Sequence, residues 1–226
     1  MWAVLKKEFK SYFLSPIGYV FIGVFLAMCS LFFYITAIAI GSTNFEFMFF
    51  YAAQSLSFII PILTMRMFAE ERKNGTEQLL LTSPKSMFSI TLGKYFAAVL
   101  VTVITELFTL IYFAILCYFK VPDLPVTIMT LIGFLLLSMA YIAFGMFISS
   151  ITENQIIAAI ITVAAFILTW FLPDISQMFN SVALLEKFYP FTMGVIPIEE
   201  TISLIAFSAL FIILTIIIMT RRKLIK

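Results

Sequence analysis

The chain has no histidine and only two cysteines. The first absence removes the commonest general base and metal ligand near neutral pH. Cys29 and Cys117 both lie inside apolar segments and lack the spacing of a disulfide framework or a metal site. Charge is scarce as well, at 12% of 226 residues, where soluble domains carry about 25%. So little charge cannot cover a water-facing surface. No phosphate-binding loop is present, because Gly93-Lys94 lacks the upstream glycine and the following hydroxyl residue. A zinc-protease helix, a nucleophile elbow and paired catalytic acids are missing too. No catalytic residue, metal site or cofactor of its own is therefore expected on this chain. If ATP and Mg are used, another subunit must bring them.

What is there is apolar. Hydrophobic residues make up 63% of the chain and the mean hydropathy is +1.12, so the bilayer is its natural solvent. The expected fold is all-α, a polytopic membrane protein forming one transmembrane domain over 1–226. Six spans are expected, at 17–40, 47–67, 86–118, 126–149, 155–172 and 201–219.

Residues 1–14 read as an amphipathic interfacial helix. Trp2, Leu5, Phe9 and Phe13 fall near one face, and Lys6, Lys7, Glu8 and Lys10 fall elsewhere. Ser15-Pro16 breaks it. The apolar segment that follows is too long for a cleavable signal peptide, and no small-residue cleavage site ends it. Gly41-Ser42-Thr43-Asn44 closes the first span, and Pro61 predicts a kink in the second. Ser83-Pro84 reads as N-cap and first residue of the third, whose opening turns hold Lys85 and Lys94 at the membrane surface. Pro122 and Pro125 bound a short loop. Residues 173–199 are too broken by Pro173, Asp174, Glu186, Lys187, Pro190 and Pro197 to span. Phe179, Leu184, Leu185, Phe188 and Phe191 suit short helices at, or dipping into, the outer interface.

Charge gives the orientation. With both termini in the cytosol, that side holds Lys6, Lys7, Lys10, Arg66, Arg72, Lys73, Lys85, Lys94, Arg221, Arg222, Lys223 and Lys226. Only Lys120 and Lys187 of the 14 basic residues remain outside, a strong positive-inside bias. High isoleucine, phenylalanine and lysine usage points to a bacterial cytoplasmic membrane.

The densest charged run is Arg66 to Lys85. Asn74 and Glu77 stand at capping-box spacing, and Gly75 marks a break before a short helix from about Thr76 to Leu81. A rigid short helix between two long ones is a lever arm. Glu70, Glu71, Arg72, Lys73 and Glu77 can pair with charges in a partner's groove, and Leu79, Leu80 and Leu81 can fill its floor. The alternative is a solvated loop. Thr152, Glu153 and Asn154 form a tight polar turn after the fourth span, with Thr152 and Gln155 again at capping-box spacing. The turn offers a second contact or simply a turn. Glu106 lies mid-way along the third span, where an acid is costly and must face the bundle or a cavity. It is either a pathway residue for a cationic or polar substrate or a neutral acid joining helices, hydrogen-bonded to threonine or tyrosine. Gln54 poses the same question in the second span.

Four stretches carry a resemblance. They are Lys7-Glu8-Phe9-Lys10-Ser11-Tyr12-Phe13-Leu14-Ser15-Pro16-Ile17-Gly18-Tyr19, the centre Phe68 to Pro84 followed by Leu92-Gly93-Lys94, the run Phe147 to Gln155, and the basic tail. Over nearly its whole length the chain resembles the permease subunits of ABC-2 type ABC transporters, above all the small gliding-motility and nitrous-oxide-reductase-maturation types. It departs at Met193-Gly194, where relatives often carry a basic residue before the glycine. The resemblance implies an exporter-type fold, a second permease (the same or homologous), two ATP-binding subunits on the cytosolic face, and no nucleic-acid partner. It implies a coupling helix over Asn74 to Thr82, a connecting helix over 1–14, and an outer re-entrant or interfacial segment over about 173–199. Rival readings are a membrane-embedded enzyme or anchor subunit, which would lean on Glu106, Asp174, Glu186, Glu199 and Glu200, and a channel or secondary transporter, which would want more polar residues at mid-depth.

Overall fold

The structure, a computed structural model, describes residues 1–226 apart from 40, 42–44, 84, 120, 176–182 and 226, and it leaves out the side chains of 81, 172–175 and 225. Ser42, Thr43, Asn44, Pro84, Lys120, Phe179 and Lys226 thus lie outside the described residues, as do the side chains of Leu81, Pro173 and Asp174.

Among the described residues every regular element is helical. Helix α1 (Trp2–Leu14) stops at Ser15, whose extended backbone (φ −101°, ψ 157°) sets Pro16 as the first residue of α2 (Pro16–Phe33). A π-helical stretch, Tyr34–Ala39, continues it. Helix α3 (Phe45–Thr64) contains Pro61. An irregular turn leads to α4 (Ala69–Lys73), and Gly75, at φ +70°, leads to α5 (Glu77–Leu81). Long helices α6 (Met87–Phe119) and α7 (Leu124–Ile151) follow, then α8 (Gln155–Ile175), α9 (Leu184–Phe188), a 3-10 turn (Tyr189–Met193) and α10 (Ile198–Ile225).

Five of these are long and apolar enough to cross a membrane: Pro16–Ala39, Phe45–Lys73, Met87–Phe119, Leu124–Ile151 and Ile198–Leu224. The chain is a polytopic, all-helical membrane protein. The remaining expected span coincides with α8, whose described apolar stretch, Gln155–Phe171, is shorter than the other five.

Helix α7 is the hub. It meets α3, α6, α8 and α10, and the 3-10 turn closes on its first half. Lipid tails are as apolar as leucine, so burial alone does not drive helices together in a bilayer. Close backbone approach and hydrogen bonds must do so. The contact surfaces are accordingly small: Ala52, Ala53, Ala97, Ala98, Ala140 and Ala143 are fully buried. A Cβ added to Gly145 would stand 2.3 Å from Thr64 Oγ1 and 2.8 Å from Thr64 Cβ, so α3 and α7 touch where only glycine fits. Rings fill the wider gaps. Phe25 and Phe49 pack on Phe134, Tyr141 stacks on Phe166 at 4.2 Å between centroids, and Phe144 and Phe147 pack on Phe211. Tyr95 in α6 donates its hydroxyl to Met139 O at 3.2 Å.

Several local expectations need correcting. The third span begins at Met87, and the hydroxyl that caps it is Ser86, accepting from Ser89 N at 3.3 Å. Ser83 lies too far upstream in the loop. Lys94, in the opening turns of this span, is enclosed by neighbouring helices and 3% exposed. In α1 the buried positions are Leu5 and Tyr12, while Trp2 is 73% exposed. The protein-facing side runs through Leu5, Glu8 and Tyr12 and lies against α6, where a Cβ on Gly93 would strike Val4 at 2.9 Å. Leu184, Phe188 and Phe191 are buried. The segment before α10 is thus a wedge packed into the bundle, with Phe191 seated on Gly133.

The glycine seam makes a signed prediction. Gly145→Ala should destabilise the chain by about 1–3 kcal/mol through overpacking. Gly23→Ala, on a part of α2 with no atom within 4 Å of the new Cβ, should be neutral or up to ~1 kcal/mol stabilising through helix propensity. Thermal melts of both variants in detergent give the comparison, and equal shifts would contradict the α3–α7 approach.

Candidate functional site

The charged stretch splits into two short helices because Gly75 takes a left-handed backbone angle between them. Neither helix has a side-chain cap of its own. Asn74 closes α4 rather than opening α5, so the capping box expected with Glu77 does not form. The cap comes from elsewhere in the chain. Ser149 Oγ, fully buried on α7, accepts from Phe68 N at 3.1 Å and Ala69 N at 3.2 Å, and donates to Met65 O at 3.0 Å. One hydroxyl thus satisfies the first amides of α4 and a carbonyl at the end of α3.

Arg72 returns the favour at the other helix end. Its Nη1 donates to Ile151 O and Thr152 O, both at 2.9 Å, and its Nη2 to Ser150 O at 2.6 Å. These are last carbonyls of α7, where a cation is also favoured by the helix dipole. The same Nη2 reaches Glu77 Oε1 at 3.5 Å, and Arg222 of α10 reaches that oxygen at 3.3 Å. Lys223 donates to Ser83 O at 3.0 Å. The basic tail is therefore a strap over α5 and the loop behind it.

A second cluster lies on the opposite flank. Lys94 Nζ stands 2.9 Å from Glu71 Oε1 and 3.2 Å from Glu8 Oε2, and 5.3 Å from the centre of the Phe68 ring. Three helices (α1, α4 and α6) meet at this one ammonium. Beside it, Arg66 pairs with Glu70 at 2.9 Å and donates to Ser15 Oγ at 2.6 Å and Ser11 Oγ at 3.1 Å. Tyr12 donates to Leu63 O at 3.3 Å. Burial and the nearby Glu8 carboxylate push the Tyr12 phenol above its usual range, which keeps that donor protonated.

The predicted contact residues therefore separate by face. Glu70, Glu71, Arg72 and Glu77 are engaged inside the chain. Leu80 packs against the core. Lys73, Asn74, Gly75, Thr76, Thr82 and Leu79, the last 74% exposed, point outward. The turn after α7 joins the same surface. Gly75, Gln78 and Glu153 border one cleft of ≈ 430 Å³ with Arg72, Glu77 and Arg222 at its base. Thr152 bonds back to Ile148 O, and Asn154, not Thr152, caps α8 by accepting from Ile156 N at 2.9 Å. A second cleft, ≈ 520 Å³, separates α1 from α5, with Glu71, Asn74, Leu79 and Lys94 among its walls.

Two intramembrane candidates stand apart from this surface. Gln54 is half-buried in α3. Glu106 is buried on α6, but the neighbouring threonines do not bond to its carboxyl: Thr102 donates to Val99 O and Thr109 to the Glu106 main-chain carbonyl. Among the described residues no three histidine, cysteine or acidic side chains converge as a metal would require.

Ser149, Glu8, Lys94 and Arg222 were not foreseen as parts of this site. Ser149 had a signal, since it opens the polar run before Glu153. The others lie in stretches that carry the resemblance, but nothing linear pairs them, because their partners lie on distant helices.

A family model described as ABC-2 family transporter protein matches residues 2–222. No curated protein matches the chain.

Two variants test the framework. Lys94→Met leaves Glu71 without its cation and Glu8 with only the exposed Lys7, and should cost about 3–5 kcal/mol. Adding Glu71→Gln to it should recover part of that loss in thermal melts, where simple additivity would give a further loss. Ser149→Ala strips the shared cap at a cost of about 1–2 kcal/mol. Amide exchange over 68–73 should then quicken by roughly 5–30-fold, while amides in the middle of α7 keep their protection.

Proposed function

The chain belongs to the ABC-2 family of transporter proteins, and from that premise we propose that it is one permease subunit of an ATP-driven exporter. Family membership makes it the membrane component of a transporter that works with an ABC ATP-binding subunit, and not a catalyst alone. The finer reading concerns how it is driven. Two ATP-binding subunits, carrying ATP and Mg, dock from the cytosol on the outward face of α4 and α5. A second permease, the same or homologous, completes the pathway, because one unit encloses little of it and a two-fold axis makes one at the interface. The domain has six spans, with α8 as the fifth. It sits in a bacterial cytoplasmic membrane with both termini in the cytosol.

One observation carries this reading. The short helix α5 presents Leu79 and the Lys73–Thr76 turn outward while its inner side is tied to α7 and α10 through Arg72, Glu77 and Arg222. An exposed, anchored element of this kind can take a push and pass it on. Closure of the ATP-binding subunits would bias the chain between inward-open and outward-open arrangements. Glu153 and Asn154 beside it form a smaller part of the same contact.

The division of faces sharpens the test. Leu79→Asp with Lys73→Glu should leave the melting temperature unchanged and cut co-purification of the ATPase subunit by at least about thirtyfold, the loss of one hot spot of ~2 kcal/mol. Leu80→Asp and Glu71→Arg should lower the chain's own stability instead, because both residues face inward. An ATPase subunit retained by the Leu79→Asp variant, or none accompanying the wild type at native expression, would sink the proposal.

A further inference from the structure

Glu106 stands in the apolar middle of α6, 9% exposed. It lines a cavity of ≈ 200 Å³ between α6 and α7, whose other walls are aliphatic: Val103, Leu107 and Leu110 on one side, Leu131 and Leu135 on the other. Its Oε1 is buried and has no hydrogen-bond partner among the described residues. The threonine hydroxyls around it are committed to the helix itself, Thr102 to Val99 O, Thr105 to Val101 O and Thr109 to Glu106 O, all at 2.6–2.7 Å. The fold thus supplies a buried carboxyl, and no described residue directs a donor at it. An intramembrane acid kept in this way is costly, and such residues mark ligand or ion sites. The cavity opens outward, since Leu107 and Ile132 at its rim are 58% and 45% exposed. Whatever fills it arrives from the bilayer side.

We propose that this cavity binds the protonated amine of a membrane-soluble molecule, with the ammonium donating to Glu106 and the adjoining carbons lying on the aliphatic wall. The chemistry follows from the lining. A lone carboxyl asks for a cationic donor, and the charge-assisted bond is stronger than a neutral one. The leucines ask for hydrocarbon. The volume equals about seven water-sized groups, enough for an ammonium and a short run of carbons but not for a whole lipid. A second copy of the chain does not meet the need. By a two-fold axis it would bring the same aliphatic rim and another carboxyl. The site goes beyond the coupling reading and does not depend on it, since binding is measured on the permease chain with no ATPase present.

The test uses the full chain in phosphatidylcholine nanodiscs, with hexylammonium as probe and hexanol as the uncharged control. Saturable hexylammonium binding above that of empty nanodiscs is expected by saturation-transfer NMR, with hexanol unable to compete at equal concentration. Affinity should fall at least tenfold in Glu106→Gln, which keeps the shape and cannot ionise. It should fall equally in Leu131→Phe, which fills the cavity and keeps the carboxyl. Absence of saturable binding to the wild type, affinity retained in either variant, or equal competition by hexanol would overturn the proposal. If Glu106→Gln does not fold, Leu131→Phe alone decides in the same terms.

Discussion

Arg72 and Ser149 hold the charged end of the molecule together by exchanging helix ends. Ser149 leaves α7 to cap the start of α4, and Arg72 leaves α4 to cap the finish of α7. Each helix would otherwise end with orphan amides or carbonyls in a crowded place, where an unpaired group costs about as much as a lost hydrogen bond. Because the two caps are reciprocal, neither helix can shift along its axis without opening both. This constraint lets a helix of five residues, far below the length at which isolated helices are stable, serve as a fixed structural part.

The ion pairs extend that lock to the remaining helices, and their placement follows from dielectric. A charge at mid-membrane has only low-dielectric neighbours, whereas the charged end offers partners at every step. Lys94 sits where α6 passes from one regime to the other, so its ammonium is buried yet finds Glu71 and Glu8 within 3.2 Å. Glu77 does the same between Arg72 and Arg222. Truncating one member of such a set leaves the others charged and buried, so the sets act as all-or-none ties. They bind α1, α6 and α10 to the same short segment that Ser149 and Arg72 bind to α7.

Much of the architecture was legible because bilayer spans announce themselves by length and apolarity. The expected 126–149 and the observed Leu124–Ile151 differ only at the ends. The charged stretch was legible as a region, since Gly75 and the run from Glu70 to Lys73 have no equal elsewhere in the chain. Which way its side chains face was not legible. Glu71 and Lys73 look alike in sequence, but one meets Lys94 from twenty-three positions away and the other meets solvent. The burial of Lys94 was hidden for the same reason. A lysine near the start of a long helix is normally exposed, and only the approach of α1 over Gly93 encloses it. The side of α1 that meets the protein was hidden likewise, because Glu8 counts as polar in any periodicity while its partner Lys94 ties it to α6.

The two ends of the bundle are built on different physics, and the proposed function depends on that difference. The end bearing α9 and the 3-10 turn is held mainly by fit, with Phe191 on Gly133 and Phe188 near Phe134, beside one directed bond from Lys187 to Ser203. Such contacts are short-ranged and can re-form after a slide or a tilt. The charged end is held by directed bonds between ionised or capping groups, which have one geometry and fail together. A force applied at Leu79 therefore meets a stiff body first and a compliant one only further along the helices. In a rocking mechanism the helices would turn as units from the charged end, and rearrangement would concentrate where aromatic and glycine contacts can slip. The separation of Glu106 from every ion pair fits that division. Its cavity lies between α6 and α7, away from the ion-paired region.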